Sequence, residues 1–240
     1  MTRRILRPGK KSNHLIRDAE VLQQRRENVA DAAFDLFLKE GFHRTTTRDI
    51  ARQAGISAGA VFTYFKDKEA ILFHIVSREQ QKVEEQILQV LSRLIQEAAH
   101  TGADPEAVFA QVFAAFLRAV DERGRFILLA YQETKSLNTE ARRGLIEHER
   151  HLQALLGEAI GYGVERGRFA PDHIALKAHN LIVLAHAWAI RRWAFKGMVH
   201  AVEEYIAILL PQVLAMLGSG AAVDVGVPKR EKRRTVVPVA

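Results

Sequence analysis

Apolar residues recur at helical spacing along most of the chain, and this spacing restricts the fold more than any other feature. Val29, Ala33, Leu36 and Phe37 form the first stripe. Intervals of three and four residues place such side chains on one face of a helix. No segment alternates as a half-buried strand would, so the sequence predicts an all-α fold. Further stripes of this kind occupy residues 71–98, 108–120, 145–164, 181–189 and 202–217.

Glycine and proline mark where these helices are expected to end. Asp104-Pro105 and Pro171-Asp172 offer a capping carboxylate or a helix-starting proline at two N-termini. Residues 71–98 form either one long helix or two in succession. Pro211 interrupts a periodic run, so we expect it to kink or divide the last helix. The glycines expected at breaks are Gly41, Gly55, Gly102, Gly124, Gly167 and Gly197.

Composition excludes several classes of protein. The 240 residues are 48% hydrophobic, which allows a sizeable core. The chain has no cysteine, so disulfides and thiolate metal sites are excluded. The basic N-terminus lacks the apolar stretch of a secretory signal. The most apolar segment, residues 174–190, contains Lys177, His179 and His186 and is no membrane span. These features indicate a soluble cytoplasmic protein.

Positive charge is concentrated at the two ends of the chain. The net charge is +7, whereas residues 1–26 alone carry +6 and residues 229–240 carry +4. Both ends lack an apolar stripe, so residues 1–24 and 219–240 are expected to be disordered. Basic tails either add salt-sensitive affinity for nucleic acid or are merely solvated, and the sequence leaves both interpretations open.

The most informative segment is residues 45–65, which predicts two short helices joined by a glycine turn. Thr46 or Thr47 can cap the first helix, and Gly55 supplies the left-handed conformation that ends it. Ser57 then caps the second helix, Ala58 to Tyr64. This arrangement is typical of a helix-turn-helix, whose second helix enters the major groove of DNA.

The outward positions of this unit carry side chains suited to DNA. Hydroxyl groups and one ammonium, at Lys68, can bind phosphate oxygens, and small or apolar side chains can meet base edges. Arg48 could reach either a base or a phosphate. Gly59 and Ala60 allow close approach to the groove. The candidate DNA contacts are Thr45, Thr46, Arg48, Ser57, Ala58, Gly59, Ala60, Phe62, Thr63, Tyr64 and Lys68.

Residues 25–76 resemble the DNA-binding domain of the TetR family of bacterial repressors. The shared pattern runs from Gly41-Phe42 and Thr45-Thr46 through Ile-Ala-x-x-Ala-Gly-Ile-Ser-x-Gly to Tyr-Phe-x-x-Lys68-Glu69. One departure is Phe62, where the family usually has a tyrosine whose hydroxyl touches a phosphate. The alternative, a buried helical hairpin without a DNA role, does not explain the two hydroxyl caps or the lysine that follows the aromatic pair.

The resemblance implies that residues 77–218 form a helical ligand-binding and dimerisation domain. In the family, the last two helices pair with those of a second subunit, and two helix-turn-helix units read a palindromic operator. Residues 171–196 and 199–217 are the two late apolar helices here. The alternative is that both helices pack only within one chain. The expected partners are therefore DNA, a small-molecule effector and a second copy, with no membrane and no cofactor.

Aromatic residues in this second domain suggest a pocket, although ordinary core packing explains any one of them equally well. The segments 131–137 and 191–196 resemble family members that sense fatty or steroid acyl-CoA thioesters, although solvated charge also explains the basic cluster. The candidate pocket residues are Phe109, Phe113, Phe116, Phe126, Tyr131, Trp188 and Arg192.

Two alternatives to a ligand-responsive repressor remain. An architectural DNA binder would use the basic tails and have no pocket. An enzyme would need convergent titratable groups, and the sequence offers no catalytic set. Gly157, Gly161, Gly163 and Gly167 lie in a helical pattern and lack the lysine of a phosphate loop. Glu147, His148 and His151 could share a helix face and bind a metal, but they more simply form a solvated surface.

Overall fold

The chain folds into helices throughout the part that the computed structural model describes, the backbone of residues 10–218 and the side chains of 19–98 and 100–218. That part contains nine α-helices, two short 3-10 segments at Thr134–Ser136 and Arg192–Phe195, and no strand. The all-α prediction is confirmed. The helices are α1 (Lys10–Glu40), α2 (Thr47–Gln53), α3 (Ala58–Tyr64), α4 (Lys68–Thr101), α5 (Pro105–Glu122), α6 (Gly124–Glu133), α7 (Thr139–Glu165), α8 (Ile174–Ile190) and α9 (Val202–Gly218).

Helix α1 begins earlier than expected. It already includes residues 10–24, so the prediction of a disordered arm over 1–24 is wrong for these residues. Lysine, leucine and glutamine each occur twice in residues 10–24 and favour helix, so the helix extends from its packed part at Val29 without an apolar stripe. The remainder of that prediction, residues 1–9, and the expected disordered tail at 219–240 lie outside the described residues.

Most helix ends follow the sequence signals. Gly102 adopts a φ of 66° at the end of α4, and Asp104 caps α5, which starts with Pro105. The expected start at Pro171-Asp172 is wrong, because α8 begins after His173, whose φ is 51°. The Asp172 carboxylate instead accepts a hydrogen bond from Lys177 Nζ at 2.9 Å. Helix α9 is continuous through Pro211, and α4 is one helix of 34 residues.

The buried apolar residues form two clusters. One lies among α4, α5, α7, α8 and α9, which we call the body. The other lies among α1 to α3 and the first turns of α4, which we call the head, but it also includes Leu129 of α6 and Leu145 of α7. The head is therefore packed directly on the body, and the predicted domain limit at residue 76 falls inside α4. No helix within residues 10–218 is long and apolar enough to cross a membrane.

Candidate functional site

The helix-turn-helix forms as the sequence predicts. Thr46, not Thr47, caps α2: its hydroxyl accepts a hydrogen bond from the Asp49 amide, and the Asp49 carboxylate accepts one from the Thr46 amide. Such a reciprocal box satisfies two free amides at the helix start. Gly55 has a φ of 69°, a left-handed conformation that glycine adopts without strain. Ser57 Oγ then accepts from the Ala60 amide and starts α3.

The inner and outer faces of α3 have opposite character. Val61 on α3 and Phe65 just beyond it are buried with Ile50 and Ala51 of α2. On the outer face, the side chain of Phe62 is 56% exposed, and Thr63 and Gly59 are also exposed. Space around Gly59 is open, because no atom lies within 4 Å of the point where a Cβ would stand. A short helix whose inner face is packed on the protein and whose outer face is exposed can enter a groove of DNA.

Two of the predicted phosphate contacts, Thr45 and Lys68, have partners within the chain instead. Thr45 is only 1% exposed, and its hydroxyl donates to the Gly41 carbonyl at 2.9 Å. Lys68 Nζ donates to the carbonyl oxygens of Phe42 at 2.5 Å and Thr45 at 2.8 Å, with that of His43 at 3.4 Å, and lies over the Phe42 ring. Burial lowers the pKa of Lys68, and the negative charge of Glu133 opposes this shift. Three carbonyls therefore occupy the three N–H groups of Lys68, which hold the segment between α1 and α2.

Other polar residues remain on the surface of the unit. Arg48 and Ser57 are exposed as expected, while the Thr46 hydroxyl donates to Asp49. Ala58, Ala60 and Tyr64 are half-buried. The sequence reasoning missed three exposed cations next to the motif, Arg44, Arg52 and Lys66. Their signal was available, since each is a basic residue within or beside a short exposed helix.

A cavity of about 380 Å³ lies between the head and the body core. This volume is within the range of small-molecule sites. Its walls come from α4 to α8 and are mostly apolar. The lining residues are Val76, Glu79, Gln80, Val83, Glu84, Val120, Arg123, Phe126, Ile127, Ala130, Tyr131, Thr134, Arg142, Leu145, Ile146, His148, Glu149, Leu152 and His186.

Of the predicted pocket residues, Phe126 and Tyr131 line this cavity, and the other five do not. Phe109, Phe113, Phe116 and Trp188 are fully buried in the body core. The three phenylalanines lie on the wide apolar stripe of α5, which neighbouring helices cover on several sides, and Trp188 of α8 is stacked on Tyr205 of α9. Arg192 lies elsewhere and donates to Asp121 at 2.7 Å.

Most charged groups at the cavity wall already have partners. Glu79 accepts hydrogen bonds from Arg78 and Lys82. Glu84 is buried between two histidines, with His148 Nδ1 and His151 Nδ1 each 2.8 Å from one of its carboxylate oxygens. Glu147, which the sequence grouped with these histidines, is exposed and takes no part in this contact. Among the described residues, no set of three possible ligands could hold a metal ion.

Tyr131, Glu149 and His186 are three further polar residues at the cavity, and burial shifts the pKa of each. Tyr131 Oη lies 3.1 Å from His186 Nδ1, and burial lowers the pKa of His186 to about 4, so its imidazole is neutral at pH 7. Burial raises the pKa of Glu149, and the charge of His179 only partly offsets this. Burial and the nearby charge of Glu149 together raise the pKa of Tyr131.

The cavity wall is in direct contact with the head. The rings of Phe126 on α6 and Phe34 on α1 are stacked, with centroids 3.9 Å apart. On α4, Arg78 donates to Asp31 at 2.9 Å and also to Glu27, both on α1. Burial raises the pKa of Glu27, but the hydrogen bond from Arg78 and the charge of His74 outweigh it, and the net shift is downward. Aromatic and ionic contacts thus join α1 to the helices that enclose the cavity.

The last two helices present apolar side chains on both their inner and outer faces. Leu181 and Leu209 are buried in the body, while Leu176 and Val183 of α8 and Ile208 of α9 are about half exposed. An apolar outer face on two neighbouring helices is typical of a helix-packing interface. A second apolar feature, Trp193, lies in the segment between α8 and α9 and is 74% exposed.

The glycines of α7 have a packing role. Gly157, Gly161 and Gly163 all lie within the helix. A Cβ at Gly163 would stand 2.1 Å from the Phe169 ring, so only glycine allows this ring to approach. No phosphate-binding loop exists here.

Both halves of the chain match models of one family. Residues 29–75 match the bacterial regulatory proteins of the tetR family, and residues 102–194 match the tetracyclin repressor-like C-terminal domain. The HTH-type transcriptional regulator HbdR of Aromatoleum sp. (strain CIB) is 28% identical over 214 residues, 88% of this chain and 90% of that protein. The fatty acid metabolism regulator protein of Bacillus subtilis (strain 168) is 25% identical over 193 residues, 80% of this chain and 93% of that protein.

A solved structure shares the fold. A tetR-family regulatory protein from Rhodococcus RHA1 superposes with a TM-score of 0.69 and 21% identity. The match covers 82% of this chain and 98% of that one.

Proposed function

The chain belongs to the TetR family of bacterial regulatory proteins, and we propose that it is a homodimeric repressor released from a palindromic operator by a fatty or steroid acyl-CoA thioester. The observation that carries the DNA-binding part is the bare outer face of α3, held from behind by buried Val61 and Phe65. Arg48, Arg44 and Lys66 would bind phosphates around it.

The location of the cavity supports ligand control. Val76 and Leu145 line the cavity and also belong to the hydrophobic cluster of the head. A ligand that displaces either side chain, or the Phe126 ring stacked on Phe34, changes the angle between head and body. A dimer must hold its two recognition helices about 34–36 Å apart to fill two successive major grooves. A small change of that angle therefore detaches one half-site and removes the avidity of the pair.

The ligand class follows from the walls and mouth of the cavity. The apolar walls suit an acyl chain or ring. Arg142 at the cavity is exposed; its Nη2 donates to the carbonyls of Lys135 and Leu137, and it forms no ion pair with a carboxylate among residues 19–98 and 100–218. An arginine in this position can bind the carbonyl or phosphates of a thioester whose larger part stays in solvent. The name of the Bacillus subtilis relative supports a ligand from fatty acid metabolism.

The outer faces of α8 and α9 support the homodimer. Leu176, Val183 and Ile208 would be buried between two copies, and helices that are apolar on both faces need a second layer to pack against. The cavity favours a ligand-responsive repressor over an architectural DNA binder, which needs no apolar cavity.

The test first selects an operator from random duplex DNA with the purified protein and then measures its affinity by fluorescence anisotropy. Gly59→Glu should lower affinity by at least about 100-fold, because it places a negative charge against DNA phosphates. Gly161→Glu is the matched control: it also lies on a helix with open space at its Cβ, and it should bind as the parent does. Equal affinity of Gly59→Glu and the parent would contradict the DNA-binding assignment.

Release is then tested with palmitoyl-CoA and shorter acyl-CoA thioesters. At least one should dissociate the operator complex of the parent. Ala130→Trp, which fills part of the cavity, should bind operator and resist release. Gln132→Trp, two residues away and exposed, should be released as the parent is. If no thioester acts, the proposed ligand class is wrong; if Ala130→Trp is released normally, the proposed ligand site is wrong.

A further inference from the structure

Glu149 is the cavity carboxyl group without a partner in the described structure. Glu79 is held by Arg78 and Lys82, and Glu84 by His148 and His151, whereas residues 19–98 and 100–218 provide no hydrogen bond or ion pair to Glu149. Glu149 is half-buried, and an acceptor that loses part of its hydration in an apolar cavity without gaining a donor costs free energy. Burial has already raised the pKa of this group. A ligand that donates a hydrogen bond to Glu149 would therefore remove this free-energy cost.

The groups beside Glu149 narrow the chemistry of that ligand. Tyr131 and His186 form a pair with a 3.1 Å contact, and the buried imidazole is neutral. The pair therefore supplies no positive charge that could hold an anion next to Glu149. His179 contributes the only charge that favours ionised Glu149 among the groups acting on it. An anionic ligand group is disfavoured at this place, and a neutral or cationic donor is favoured.

We propose that the Glu149 carboxyl group accepts a hydrogen bond from a donor on the effector. The cavity then prefers an apolar molecule bearing a hydroxyl or amine over the same molecule without that group. This inference rests on the proposed function only in taking the cavity as the effector site. It goes further by excluding a plain hydrocarbon chain as the best ligand. A site built to bind a hydroxyl rejects the analogue that lacks it, because the protein group is then left unpaired.

Three small probes that share a methylphenyl frame test the inference: 4-methylphenol, toluene and 4-methylbenzoate, titrated into the full chain and followed by protein NMR. In the parent, 4-methylbenzoate should bind at least about tenfold more weakly than 4-methylphenol. The preference for 4-methylphenol over toluene should fall about tenfold or more in Glu149→Leu, the effect of one hydrogen bond to an ionisable group. Glu149→Gln, which keeps an acceptor oxygen, should retain most of it.

Glu147→Leu is the matched control, since Glu147 lies two residues away on the same helix and is exposed. It should leave all three affinities unchanged. A preference that is the same in Glu149→Leu and the parent overturns the inference, as does tight binding of 4-methylbenzoate or binding of none of the probes. Operator release by acyl-CoA thioesters is measured separately. If release occurs while the preference ignores Glu149, this inference alone fails; if Glu149 governs the preference and no thioester releases DNA, the ligand class proposed above fails.

Discussion

The head holds its central lysine with several partners, whereas the cavity leaves one of its carboxyl groups without any among the described residues. In the head, Lys68 has three carbonyl partners, and Arg78 joins Glu27 and Asp31 of α1. At the cavity, Glu149 has no partner within the described residues, and burial disfavours its charged form. Lys68 and Arg78 are thus satisfied by partners within one chain, whereas the cavity has kept at least one interaction open.

This difference separates two kinds of site. A DNA-binding surface must have one shape before DNA arrives, and paired polar groups hold that shape. A ligand cavity gains affinity from groups that are poorly satisfied while it is empty, at some loss of stability. Substitutions in the head should therefore destabilise the protein, and removal of the open group at the cavity should stabilise it.

The largest effect is expected at Lys68. Lys68→Met keeps the apolar stem but removes the donors to Phe42 and Thr45, so we expect a loss of about 2–3 kcal/mol in the free energy of unfolding. For a chain of this size, the melting temperature should fall by roughly 5–10 °C. Lys66→Met, two residues earlier and exposed, should change stability by less than about 0.5 kcal/mol.

DNA titrations at several salt concentrations separate the two lysines further. Loss of Lys66 should weaken binding to all sequences and reduce the salt dependence by about one counterion. If Lys68→Met melts as the parent does, Lys68 is free for DNA and its assignment to the head is wrong.

A smaller loss, about 1 kcal/mol, is expected for Glu27→Gln. The pKa of Glu27 is lowered in the folded protein, so its charge stabilises the fold above the unfolded pKa, and this contribution disappears as the pH falls through the folded value. The parent should therefore exceed the variant in stability at pH 7, and the difference should be smaller at pH 3. Urea denaturation at both pH values measures the difference. A constant gap would show that lost packing, not lost charge, is responsible.

The smallest effect, with the opposite sign, is expected for Glu149→Gln. The pKa of Glu149 is raised in the folded protein, so the parent loses stability as the pH rises above the unfolded value. The variant lacks this loss and should be more stable than the parent at pH 7 by up to about 1 kcal/mol, with no gain near pH 4. The same denaturation series provides the measurement, and a destabilised variant at pH 7 would contradict the picture of an unsatisfied carboxylate.

The helix-turn-helix was predictable because its determinants are local. Gly55, Ser57 and the Thr46–Asp49 box each act within about four residues, so spacing in the sequence specifies their geometry. The inward orientation of Thr45 and Lys68 has a different origin. The partners of Lys68 are 23 to 26 residues away, and no local rule shows that its ammonium turns inward.

The cavity was far less predictable because five helices build it. Phe113 and Phe126 look alike in the sequence, yet one is core and the other is wall. Which ring meets empty space depends on how α4 to α8 cross, and that is decided by packing across the whole body. Only the long-range contacts with Glu84 reveal that His148 and His151 of α7 bind a carboxylate of the cavity wall rather than a metal.

The unbroken course of α4 fixes the rotational phase between the two halves of the molecule. An α-helix turns about 100° per residue, so one residue inserted between Val76 and Arg78 would rotate the head relative to the cavity. Both Phe34 and Arg78 would then lose their contacts. Exchange of heads among relatives should therefore succeed only when the number of residues along α4 is kept. Head and body are matched by the length of this helix and are not interchangeable modules.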